Sequence, residues 1–200
     1  RLRSLTSIMS KTGALHVGLP TPRVLRKVMQ PTPVERDLAL AYELERAEVT
    51  CGPLFDRDAM ATFLAEAYER SPERGGMAFQ LSAMFASGDR TRALRNLDVP
   101  TLVIHGRADG LVRLSGGVAT ARAIPGAALE VHNLMGHDLP QPLWPALTDS
   151  IAAHARRASR ARSRDRSRPA PASASTRPPN SRARASPTSP PPCSAATPRA

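Results

Sequence analysis

VPTLVIHGRADGLV at 99–112 and GAALEVHNLMGHDLP at 126–140 are the two stretches whose reading decides the fold. In each, a short run of apolar and β-branched residues (101–105, 128–132) gives way to a polar, glycine-containing loop. Runs that are apolar on both faces are the pattern of strands covered on two sides, as in a parallel sheet. Between them SGGVATARAI (115–124) reads as a helix capped by Ser115, and Pro125-Gly126 as a turn. Strand, helix and strand thus form one crossover unit, which is right-handed between parallel strands. The fold class is α/β.

Upstream, LTSIM at 5–9 reads as another short apolar strand. Three strands make a poor parallel sheet, because small α/β cores are marginal. The expectation is therefore that partner strands preceded Arg1 and that this is the carboxyl-terminal part of a longer fold. The stretch between is helical. Thr21 with Pro22 opens a helix to residue 29, and Thr32, Pro33 and Glu35 have the spacing of a capping box for the next, which should end near Cys51-Gly52-Pro53. Asp56 caps a third helix, with Met60, Phe63, Leu64 and Ala67 on one face. After Gly75-Gly76, Met77, Phe79, Leu81, Met84 and Phe85 nearly encircle a fourth, which should be buried or face a pocket. The aromatic and methionine residues here read first as core. A short helix at 91–97 returns to the sheet. The last helix, 142–158, carries Leu143, Trp144, Leu147 and Ile151 toward it.

The chain has 200 residues and a net charge of +11, very unevenly placed. Residues 158–200 hold nine arginines and one acid, leaving nineteen basic and sixteen acidic residues in 1–157, an ordinary balance for a globular domain. The tail has no aromatic residue and scarcely an aliphatic one larger than alanine, so it cannot offset its ordering entropy and is expected to be disordered. Its bias is also what an out-of-frame reading of GC-rich coding sequence gives. Alternating arginines at 160–168 can hold phosphates, but without stacking platforms they read no nucleic-acid sequence. Cys51 and Cys193 make neither a disulfide framework nor a zinc site, and fit a reduced, cytoplasmic setting. No apolar run has membrane-spanning length and no signal peptide is recognisable.

Reactive groups in open parallel sheets gather beyond the carboxyl ends of strands. There the first loop places Asp109 and the second His137, which can meet as a carboxylate bonded to an imidazole. His105, ending a strand, reads as structural, and Asp138 as a cap of the loop beside His137. These residues, with the helical stretch before them, resemble the last third of the α/β-hydrolase fold, with the flavour of bacterial esterases and aclacinomycin methylesterase-like hydrolases. The resemblance covers 1–157. It implies a partial α/β-hydrolase fold organised as a core strand (1–10), a helical cap (11–97), the carboxyl-terminal core (98–157) and the tail (158–200). It implies Asp109 as the acid and His137 as the base of a Ser-Asp-His triad, a small-molecule ester or related acyl substrate, and no cofactor or metal.

This sequence also departs from the family. None of its twelve glycines is followed two residues later by serine, so no GxSxG occurs and the nucleophile and oxyanion-hole loops are expected upstream. Gly110 and Leu114 stand where family members commonly have proline, which removes constraints from the acid loop. Two functions follow. One is an ester hydrolase of which this chain supplies cap, acid and histidine and is itself inactive; the other is a non-catalytic hydrolase remnant whose basic tail binds an anionic partner. Lactonase, haloperoxidase and C-C hydrolase chemistry share the fold. Oligomeric state has no sequence signal.

Overall fold

Strand β1 (Leu5–Ile8), strand β2 (Thr101–Gly106) and strand β3 (Ala128–His132) form one parallel sheet in the order β1-β2-β3 in the computed structural model, which describes residues 2–70 and 76–167. Leu5 is in register with Thr101, and Leu102 with Ala128. Helices α1 (Pro22–Val28), α2 (Arg36–Thr50), α3 (Arg57–Arg70), α4 (Gly76–Ala86) and α5 (Thr91–Leu94) separate β1 from β2. Helix α6 (Leu114–Ala123) makes the crossover from β2 to β3, and a 3-10 turn (Gln141–Leu143) leads into α7 (Trp144–Ser167). The sheet and its crossover are those expected from the sequence, and the architecture is a partial α/β-hydrolase fold.

All six residues of β2 are buried, and their period-two alternation divides the core. Leu102 and Ile104 pack with Met135 and with Leu147 of α7, flanked by Ile8, Met9, Leu143 and Ile151. Val103 and His105 point to the other face, where α6 lies so close that a Cβ on Gly117 would overlap the His105 ring, 2.8 Å from Cγ. Strand β3, expected to be covered on both sides, instead leaves Ala128 and Leu129 exposed, because it lies at the sheet's edge.

Several local expectations are corrected. Thr21 does cap α1 through Val24 N, and Asp56 bonds Ala59 N at the start of α3. Thr32 and Glu35 form no capping box: α2 starts after Glu35 without a side-chain cap. Ser115 lies inside α6 rather than before it, and its Oγ accepts from Gly18 N at 3.0 Å. Phe63 and Phe79, read as core, are 55% and 76% exposed, and α3 buries no residue. Met84 is exposed as well, so of the two expectations for α4, burial or facing a pocket, the described side chains do not support burial; those of Met77, Leu81 and Phe85 lie outside the described residues. Trp144 is half exposed and donates from Nε1 to Leu139 O, while Leu147 fills the core position. Helix α7 continues to Ser167, ten residues past the boundary at 157, and buries Ala158. The expected disorder of the tail concerns, from residue 168 on, a segment outside the described residues. No helix among the described residues is long and apolar enough to cross a membrane.

Candidate active site

At the carboxyl edge of the sheet, the loops after β2 and β3 are stitched to each other by backbone bonds. Arg107 N donates to His132 O at 2.9 Å and Ala108 N to Met135 O at 3.1 Å. The approach leaves no room for a side chain on Gly106, whose Cβ would overlap Met135. Only glycine lets the two loops touch in this way.

Asp109 is buried, and both its carboxylate oxygens are engaged. Oδ1 accepts from Leu111 N at 2.9 Å and Val112 N at 2.7 Å, which fixes the plane of the carboxylate within a tight turn. Oδ2 lies 2.8 Å from His137 Nδ1. A carboxylate only accepts, so Nδ1 is the donor, and in the neutral imidazole Nε2 is then the acceptor. Among the described residues Nε2 has no hydrogen-bond partner, and the side chain is partly exposed. The pair is therefore an oriented imidazole presenting a proton acceptor outward.

His105 reinforces the acid loop from beneath. Its Nε2 donates to Val112 O at 2.7 Å and stands 3.6 Å from Asp109 Oδ2, too far for a hydrogen bond. Its Nδ1, against Gly117, is buried without a partner among the described residues. Gly110 O accepts from Thr21 N at 2.8 Å. Thr21 at the start of α1, His105 of β2 and the turn's own amides thus all hold the acid loop by hydrogen bonds.

The histidine loop is held from the helical side by residues the sequence marks only as a helix end. His137 N donates to Thr50 O at 2.9 Å, and Asp138 Oδ1 accepts from Gly136 N at 3.1 Å and Gly52 N at 3.4 Å. Burial foremost, and the negative charge of Asp138 next, pushes the pKa of the partly buried Cys51 thiol up to about 12. Asp138 caps its loop as expected, but its reach to Gly52, 86 residues away, had no signal beyond the Cys51-Gly52-Pro53 punctuation. Among the described residues no cluster of potential ligands could hold a metal ion.

No family profile matches the chain, and no curated protein does. Solved structures do. The chain is similar to a 2-hydroxy-6-oxo-6-phenylhexa-2,4-dienoate hydrolase from Rhodococcus sp. strain RHA1 (18% identity over 76% of this chain and 55% of that one, TM-score 0.58). It is similar to a thermophilic esterase from Thermogutta terrifontis (21%, 79% and 57%, TM-score 0.56) and to an esterase from Exiguobacterium antarcticum (15%, 76% and 57%, TM-score 0.54). The chain spans a little over half the length of these proteins, and the likeness establishes that it carries part of the α/β-hydrolase fold.

Proposed function

We propose that the chain is the carboxyl-terminal part of a hydrolase acting on carboxylic esters, in which Asp109 is the acid and His137 the base for a serine lying upstream of this chain. The observation that carries this reading is the 2.8 Å contact between Asp109 Oδ2 and His137 Nδ1, with the other carboxylate oxygen fixed by two backbone amides. In the reaction, His137 Nε2 takes the proton of the serine hydroxyl as its oxygen bonds to the ester carbon. It returns that proton to the departing alcohol, leaving an acyl-enzyme. A water molecule, deprotonated by the same nitrogen, then releases the acid. Asp109 stabilises the imidazolium in both halves. The helical segment 11–97 serves as the cap shaping the acyl pocket, and the free Cys51 fits a reducing, cytoplasmic setting.

The 200 residues alone are expected to show no ester hydrolysis above background. Loss of a single oxyanion donor costs about 100-fold to 1000-fold in turnover, and here the serine and all those donors belong to the upstream segment. The purified chain and an Asp109→Ala, His137→Ala double variant should be equally inactive toward a short activated ester. Turnover by the first that is lost in the second would overturn the assignment of the serine to an upstream segment. Reading the coding sequence before the codon for Arg1 tests the class directly: an in-frame GxSxG supports it, and an open frame without one defeats it.

A further inference from the structure

Outside the Asp109–His137 pair, residues 50–52 meet residues 136–138 at close quarters. Three backbone donors take part. His137 N reaches Thr50 O, and the N–H groups of Gly136 and Gly52 converge on one oxygen of Asp138. The two segments cross backbone to backbone at a pair of glycines. A Cβ on Gly52 would lie 2.5 Å from both Gly136 N and Leu134 O, and one on Gly136 would overlap Gly52 N. Approach this close brings two N–H groups and the C-terminal end of α2 against the histidine loop, and the Asp138 carboxylate is what satisfies both donors at once.

We infer that Asp138 is a positioning residue, which fixes the His137 imidazole by fastening its loop to the Cys51-Gly52 turn at the end of α2. This rests on the reading of His137 as the base. The chain geometry supports it: His137 lies between the two residues that Asp138 ties down or comes from, so its own backbone is held on one side by Thr50 O and on the other by the Gly136–Asp138 turn. Two of the three hydrogen bonds reach the helical segment, so a movement of α2's end is transmitted to the imidazole. Asp109 sets the ring's tautomer, and Asp138 sets where the ring stands.

The test is nuclear magnetic resonance on the full isotope-labelled chain, following the low-field proton on His137 Nδ1 and the hydrogen exchange of the His137 and Gly52 amides. Absence of the Nδ1 proton signal in the unsubstituted chain sinks the Asp109–His137 pair itself, and this inference with it, before any variant is made. With the signal present, Asp138→Ala is expected to raise exchange of both amides about tenfold or more and to broaden the Nδ1 proton away, with Val103 and Ile104 amides unchanged. Asp138→Asn keeps an acceptor oxygen and should restore both readouts nearly to their starting values. Gly52→Ala, which forces the two segments apart without touching Asp138, should reproduce the Asp138→Ala result. An unchanged Nδ1 proton in Asp138→Ala, an Asp138→Asn variant no better than alanine, or equal loss of protection at Val103 and Ile104 would each overturn the inference while leaving the Asp109–His137 pair standing.

Discussion

At the scale of single residues, Asp109 serves two ends with two oxygens, and its substitutions should separate them. Removing the side chain in Asp109→Ala leaves the Leu111 and Val112 amides without an acceptor in a partly buried turn. The expected cost is about 1–3 kcal/mol for the orphaned donors, read as a lower urea midpoint. Asp109→Asn keeps an acceptor toward the amides and should be milder in stability, yet it turns an NH2 group toward His137 Nδ1. The imidazole must then carry its proton on Nε2, and the low-field Nδ1 signal should vanish although the fold persists. Cys51 offers a second residue-scale test. Its thiol is raised from an ordinary 9.0 to about 12, chiefly by burial and then by Asp138. Between those pH values the unfolded chain releases a proton that the folded chain keeps, so folded stability falls as pH rises through that window. Thermal melts from pH 9 to 11 should show a steeper fall in the unsubstituted chain than in Cys51→Ser. Equal slopes would mean that Cys51 is more exposed and less influenced by Asp138 than its surroundings indicate.

At the scale of elements, helix α6 packs on β2 through Gly117, and the cost of a side chain there outweighs the helix preference for alanine. Gly→Ala inside a helix ordinarily gains up to about 1 kcal/mol, whereas overpacking a rigid ring costs about 1–3 kcal/mol. Gly117→Ala is therefore expected to lower the melting temperature, because its Cβ would overlap His105, which is tied to Val112 O and cannot withdraw. A raised melting temperature would show that the helix can shift off the strand. The same contact shows what the sequence could convey and what it could not. TLVIH and ALEVH announce their strands through local composition, and Asp109 and His137 are found by standing just beyond them, so the sheet's crossover and the candidate pair were readable. Ser115 reads as a cap because a hydroxyl that can bond its own helix can equally bond a distant group, and here Gly18 N offers one. The Gly52–Gly136 crossing was invisible for a related reason: each glycine looks locally like punctuation, and only the tertiary approach gives it a second use. Phe63 and Phe79 were placed inside because large apolar side chains usually are, a rule that says nothing of which helix faces find a neighbour.

At the scale of the whole molecule, stability is concentrated in one strand. β2 has a strand on each side and a helix on each face, and its six residues are all buried. β1 is only partly buried and β3 begins exposed; each has a single strand neighbour among the described residues. In a parallel ladder the amides of an edge strand alternate between pairing inward and pointing away, so about half of them lack a ladder acceptor. The exchange of backbone hydrogens should follow this arrangement. Val103, Ile104 and His105 are expected to be the slowest amides in the chain, opening only with global unfolding, while alternate amides of β1 and β3 exchange through local opening at least ~10-fold faster. Ile104→Ala tests the same hierarchy from the core, since Ile104 joins Met135, Leu102 and Leu147; emptying that position is expected to cost about 2–5 kcal/mol. Because β2 also carries the acid loop, and Met135 begins the turn into the histidine loop, that variant should speed exchange at Leu111, Val112 and His137 together with β2. Exchange at His137 unchanged while β2 loosens would show that the histidine loop draws its order from the end of α2 rather than from the sheet.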